Sequence, residues 1–226
     1  EIDYAYKEDD PMGGYDPYSA SKGAAELIIQ SYRNSFFNKN YDDVTQISTV
    51  RAGNVICGGD WAERIVPDSI RALSSKKSVA IRSPDAIRPW QHVLELISGM
   101  LCLASKMWQH KNSFSESWNF GPKIGFQKVA VKEIVNMIID LWGFGDWIDV
   151  SDNDKIHEAN LLMLDSSKSV ERLGWKPVYS LEECIRETVN WYKDFYSNPN
   201  QIEEFTQKQI LSYIEKAKSN NISWTI

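Results

Sequence analysis

Asp16-Pro17-Tyr18-Ser19-Ala20-Ser21-Lys22 opens the first helix of this chain. Aspartate is a favoured N-cap, and proline fits the first turn, where a missing N–H costs nothing. Apolar residues at Ala24, Leu27, Ile28 and Tyr32 then follow one helix face, which predicts a helix to about Phe37. Tyr18 and Lys22 are four positions apart and share a face in its first turns. A cation beside a phenol favours the phenolate, a base able to take a proton from a hydroxyl. Of the 10 tyrosines, only Tyr18 has lysine four positions on. The pair alone also fits an exposed helix residue beside a solvated lysine, so its meaning depends on the rest of the chain.

Upstream, Glu1 to Tyr15 is polar and turn-rich, with Pro11 and Gly13-Gly14, and reads as a loop. Downstream, β-branched residues predict a strand over Val44 to Val50, followed by Arg51-Ala52-Gly53-Asn54-Val55. Gly58-Gly59-Asp60-Trp61 leads to a helix near Val66 to Ser75, a strand at Val79 to Arg82 and a helix at Val93 to Trp108. A strand at Trp118 to Phe120 turns at Gly121-Pro122, and an amphipathic helix from Val131 to Trp142 stops at Gly143. A short strand at Trp147 to Val150 precedes helices at Ser166 to Leu173, Leu181 to Phe195 and Glu203 to Ala217. Strands alternating with helices predict an α/β layered fold with a mostly parallel sheet and a helical C-terminal third.

The chain has 226 residues, of which 42% are apolar, enough for one substantial core. A net charge of -6 supplies no basic stripe for nucleic acid. No apolar run approaches a membrane span, and the acidic N-terminus is unlike a signal peptide, so a cytoplasmic location is expected. Cys57, Cys102 and Cys184 are scattered, as are His92, His110 and His157, so neither a disulfide framework nor a metal site is expected. No Gly-x-Gly-x-x-Gly follows a strand, so nothing here cradles a dinucleotide pyrophosphate.

Four stretches, in order, are Gly13-Gly14-Tyr15-Asp16-Pro17-Tyr18-Ser19-Ala20-Ser21-Lys22, Arg51-Ala52-Gly53-Asn54-Val55-Ile56, Gly58-Gly59-Asp60-Trp61 and Ile87-Arg88-Pro89-Trp90-Gln91-His92-Val93. Together they resemble the CDP-glucose 4,6-dehydratases of the extended short-chain dehydrogenase/reductase family. Leu173-Gly174-Trp175-Lys176-Pro177 and Thr188-Val189-Asn190-Trp191-Tyr192 resemble the C-terminal pattern of its nucleotide-sugar members. Two departures stand out: Cys57 where glycine is expected and Leu96 where proline is expected.

The resemblance implies the C-terminal part of a Rossmann-like parallel sheet plus a smaller, mainly helical substrate-binding domain. Residues 1–56 would complete the NAD-binding domain, and 57–226 would mostly bind the nucleotide sugar, with short returns to the sheet near 79–120. The glycine fingerprint would lie upstream, so the chain looks like the C-terminal two thirds and is expected to be inactive alone. The implied chemistry converts CDP-D-glucose to CDP-4-dehydro-6-deoxy-D-glucose by C4 oxidation, loss of water across C5 and C6, and hydride return to C6. Tyr18 would take the C4 hydroxyl proton, and Lys22 would assist it and bind the nicotinamide ribose of NAD. Asn54, Arg64 and Arg88 are candidate contacts to the sugar or diphosphate, and Trp61 and Trp90 candidate walls of the nucleotide pocket. His92 is expected to be structural. The resemblance also implies a homo-oligomer, dimer or tetramer, formed through helices including that of Tyr18. Another NDP-sugar epimerase or dehydratase, and a non-catalytic sugar-nucleotide-binding module, remain alternatives.

Overall fold

A computed structural model describes residues 4–37, 45–60, 62–110, 113–122, 128–151 and 161–225. Helix α1 spans Pro17–Tyr32 and begins as its sequence predicts. The Asp16 carboxylate accepts the N–H groups of Tyr18 at 2.9 Å and Ser19 at 3.0 Å, satisfying donors that have no partner inside the helix. A π-helical turn, Arg33–Phe37, continues it.

There follow β1 (Thr49–Ala52), β2 (Asn54–Ile56), α2 (Ile65–Ser74), β3 (Val79–Ile81), β4 (Trp90–His92) and α3 (Val93–Gln109). The second half holds β5 (Ser117–Phe120), α4 (Val131–Trp142), β6 (Trp147–Asp149), α5 (Leu181–Ser197) and α6 (Ile202–Ser219). Among the described residues the strands form three parallel pairs, β1 with β5, β2 with β4 and β3 with β6. Val50 lies opposite Trp118, Asn54 opposite Trp90, and Val79 opposite Trp147.

The strand expected over Val44 to Val50 starts only at Thr49, and residue 44 lies outside the described residues. Side-chain bonds replace the ladder before it: Gln46 Nε2 donates to Met107 O at 3.0 Å and Ser48 Oγ to Phe114 O at 2.6 Å. Strands β2 and β4 were not anticipated, being three residues each and too short to show alternation. Their approach depends on Gly53, where a Cβ would lie 2.4 Å from Pro89 O. That contact lets Asn54 N–H donate to Pro89 O at 3.0 Å.

Two apolar cores organise the chain. One joins α2, α4 and α5 to β3 through Ile70, Leu73, Ile81, Ile134, Ile138 and Ile185, each fully buried. The other gathers Trp118, Phe120, Leu173, Trp175 and Ala217 between β5, α3 and α6. Phe120 meets Trp175 edge to face at 4.9 Å and 88°, a favourable aromatic geometry.

The catalytic-helix candidate α1 is pinned to β1 by charge. Arg51 Nε and Nη2 both donate to Glu26 at 3.1 Å, and Thr49 Oγ1 donates to it at 2.9 Å. Burial raises the Glu26 carboxyl, but these bonds outweigh it and hold the group below its ordinary range. Arg51 Nη1 also donates to Glu8 O, and Glu8 Oε1 accepts the Asn119 N–H at 2.8 Å. The preceding Tyr6 pairs with Leu164 as a parallel bridge, so residues 6–8 lie against β1 and β5.

Candidate active site

The structure brings Tyr18 and Lys22 together as their spacing predicts. The Lys22 ammonium lies 5.5 Å from the centre of the Tyr18 ring. Tyr18 is 71% exposed, and its hydroxyl has no hydrogen-bond partner among the described residues. Ser21 Oγ donates to Tyr18 O at 2.7 Å and Ser19 Oγ to the Asp16 carboxylate, so neither hydroxyl of this turn bonds the phenol. The pair is therefore a solvent-facing phenol and ammonium with neither side chain engaged elsewhere on the described chain.

A second feature is a cavity of about 630 Å³. The approach to β4, residues 87–91, forms one wall; Met163 and Leu164 a second; and Pro177 to Leu181 a third. Arg88 and Trp90, both expected at a nucleotide site, line it. Arg88 Nη1 donates to Ile87 O at 2.9 Å, which holds the guanidinium against the neighbouring backbone. Trp90 is 5% exposed and packs into the first core, so most of its indole is buried structure.

The other expected residues scatter. Asn54 does not line the cavity but sits one strand away, opposite Trp90. Arg64 is exposed at the N-cap of α2, and its backbone carbonyl accepts the Asp68 N–H at 2.9 Å. Tyr18 and Lys22 are likewise outside the cavity wall. Trp61 lies outside the described residues.

Gly58 has a packing reason. A Cβ there would lie 2.0 Å from the Trp191 indole of α5, so glycine lets the loop rest on that ring. Neighbouring Cys57 is half-buried, and burial followed by the Asp60 charge pushes its thiol up. Burial pushes the Cys184 thiol up to about 12. All three cysteines are free, and among the described residues no His, Cys, Asp and Glu cluster is placed to hold a metal. No helix of the described residues is long and apolar enough to cross a membrane.

His92 is structural, as expected. It is 4% exposed, burial lowers its pKa to about 4, and its Nδ1 accepts the Leu94 N–H to cap α3. Glu95 was missed. An acid in the first turn of a helix reads as a solvated group favoured by the helix dipole, yet Glu95 is 1% exposed and lines the cavity. It accepts the N–H groups of Val178 at 2.9 Å and Tyr179 at 2.6 Å and the Tyr213 hydroxyl at 2.9 Å. Burial raises its pKa against those bonds. Nothing in the sequence marks this hub, because its donors come from positions more than eighty residues away.

Comparison with known proteins supplies the remaining context. The family model described as GDP-mannose 4,6 dehydratase matches residues 2–188. The chain is 47% identical over 194 residues to the CDP-glucose 4,6-dehydratase of Salmonella typhimurium, covering 84% of this chain and 54% of that one. It is 25% identical to the dTDP-D-glucose 4,6-dehydratase of Mus musculus, covering 87% of this chain and 53% of that one. It thus spans about half the length of the curated relatives it matches. A UDP-glucuronic acid 4-epimerase from Bacillus cereus, solved with UDP-glucuronic acid and NAD, superposes with a TM-score of 0.74. That match has 19% identity and covers 87% of this chain and 58% of the epimerase. The likeness places the α/β architecture in the Rossmann-like class.

Proposed function

The chain belongs to the GDP-mannose 4,6-dehydratase family, and from that membership we propose that it is part of an NAD-dependent CDP-glucose 4,6-dehydratase. The observation that carries the reading is the Lys22 ammonium held 5.5 Å from the exposed Tyr18 ring. On this reading residues 1–56 complete the cofactor domain, 57–226 mostly bind the sugar nucleotide, and the enzyme works in the cytoplasm.

The residues present fit the nicotinamide end of NAD. A phenol and an ammonium on one helix face, both without ion-pair or hydrogen-bond partners among the described residues, suit a ribose hydroxyl and a reacting sugar. The chemistry a bound NAD supplies is acceptance of hydride from C4 and its return at C6. Tyr18 takes the proton of the C4 hydroxyl, and Lys22 stabilises the phenolate and holds the ribose. The resulting 4-keto group acidifies the C5 hydrogen, which permits loss of water across C5 and C6. Arg88 meets the diphosphate with a planar fork that lysine lacks, and Trp90 backs the nucleotide. Asn54, Arg64 and Trp61 enter this reading as further sugar-nucleotide contacts on the sequence resemblance alone, since Asn54 and Arg64 do not line the cavity.

Tryptophan-fluorescence titration tests the substrate class. CDP-glucose is expected to quench saturably and bind at least about tenfold more tightly than dTDP-glucose or UDP-glucose, with Arg88→Ala weakening it by about 1.5–3 kcal/mol. Equal affinity for the three sugar nucleotides overturns the CDP assignment. A non-catalytic sugar-nucleotide-binding module is the second reading, favoured by the absence of Tyr18 from the cavity wall. Turnover decides between them: in the enzyme containing the NAD-binding half, Tyr18→Phe is expected to slow product formation about 10²–10⁴-fold with binding unchanged.

The same reading includes a homo-oligomer through α1. Ile28, Tyr32 and Phe36, at four-residue spacing, are 56–63% exposed, and a second copy of the chain is the occupant proposed for that face. Sedimentation equilibrium of Ile28→Glu is expected to give monomer; an unchanged assembly rejects this interface.

A further inference from the structure

Helix α6 lies beyond residue 188, where the family match ends, yet two of its side chains reach the wall of the cavity. Tyr213 is 2% exposed, and its hydroxyl donates to Glu95 Oε2 at 2.9 Å. The same carboxylate receives the backbone N–H groups of Val178 and Tyr179, so it joins α6 to that wall. Lys216, three residues on, pairs with Glu183, and its ammonium lies 5.1 Å from the centre of the Tyr179 ring. The Tyr179 and Tyr213 rings meet edge to face at 5.0 Å. Glu95, Val178, Tyr179 and Glu183 all line the cavity, whereas Tyr213 and Lys216 do not.

We propose that α6 is a positioning element of the sugar-nucleotide site, in which Tyr213 and Lys216 act through Glu95 and Glu183 to hold the Val178–Glu183 wall in its ligand-accepting shape. The inference rests on the sugar-nucleotide reading above. The physical reason is directional. A buried backbone segment keeps one path only where its N–H groups have a fixed acceptor, and Tyr213 fixes the rotamer of that acceptor. Lys216 does the same for Glu183, whose carboxyl burial raises but whose bonds from Lys216 and the Ser180 N–H leave below its ordinary range. Neither α6 residue touches the ligand, so their loss acts on affinity rather than on the chemical step.

The test uses Tyr213→Phe, Lys216→Met and Lys216→Arg in the enzyme containing the NAD-binding half, with CDP as the probe. Each of the first two is expected to weaken CDP binding about tenfold and to speed amide exchange at Val178 and Tyr179 about tenfold. Exchange at Val79 and Ile134, in the other core, should not change. Lys216→Arg, which keeps the charge and the donor, should restore both readings. CDP affinity within twofold of wild type overturns the proposal, and so does an affinity loss with unchanged exchange at the two amides. If wild type binds no CDP, the sugar-nucleotide reading fails instead, and exchange alone decides whether α6 positions the wall. Should Tyr213→Phe fail to fold, the two Lys216 variants, at a partly exposed side chain, carry the test.

Discussion

His92 and Glu95, three residues apart at the start of α3, respond to pH in opposite directions. Burial lowers the His92 pKa from 6.5 to about 4, so the folded state resists the proton that the unfolded chain accepts. Its contribution to stability is complete above pH 6.5 and lost as pH falls towards 4. The shift corresponds to about 3 kcal/mol at most. His92→Asn keeps a capping acceptor and removes the titration, so the fall in urea stability between pH 6.5 and 4 should be shallower than in wild type. Glu95 has the reverse sign: burial raises its pKa, so its contribution is complete below the ordinary value of 4.5 and declines as pH rises through the raised value. Glu95→Gln should therefore gain stability relative to wild type as pH rises from 4.5. A difference that stays flat with pH would show that Glu95 titrates alike in both states. The sequence favoured a hydrogen-bonded structural role for His92 over a ligand contact, and its burial and its cap on α3 fit that role. It hid Glu95, because burial of a helix-start acid depends on partners such as Tyr213, far along the chain.

At the scale of elements, α1 was legible from six or seven residues, because its N-cap, its proline and its apolar spacing all specify the same helix. The stops at Gly143 and Gly174 were equally readable, since both residues adopt left-handed backbone, φ 103° and 69°. The three-residue strands β2 and β4 were not legible, as their pairing is set by the close pass of Pro89 over Gly53 rather than by any local pattern. The contact between the glycine loop and α5 gives a sharp prediction. Gly58→Ala forces a methyl into the Trp191 ring and should cost about 1–3 kcal/mol in thermal or urea unfolding. Trp191→Leu should recover part of that loss in the double variant, and simple additivity of the two changes would exclude the clash as the cause. The Glu26 and Arg51 pair gives another. Glu26→Gln removes the charge that both Arg51 donors share and should cost about 1.5–3 kcal/mol in urea, with α1 amides exchanging before those of α4.

Across the whole molecule, the proposed catalytic pair and the cavity are supplied by different parts of the chain. Tyr18 and Lys22 come from α1, while Arg88, Glu95 and Tyr179 come from three later segments. Residue types in order were enough to name candidates on each, but not to assemble them, because assembly depends on non-local contacts. The bridge between Tyr6 and Leu164 is such a contact, joining residues roughly 160 positions apart. A ribosome adding about 5–20 residues per second needs roughly 8–30 s to deliver the second partner after the first. Throughout that interval the stretch around Tyr6 is held only by its bonds from Arg51 and Asn119, so the seam it forms stays open on one side until translation has passed Leu164.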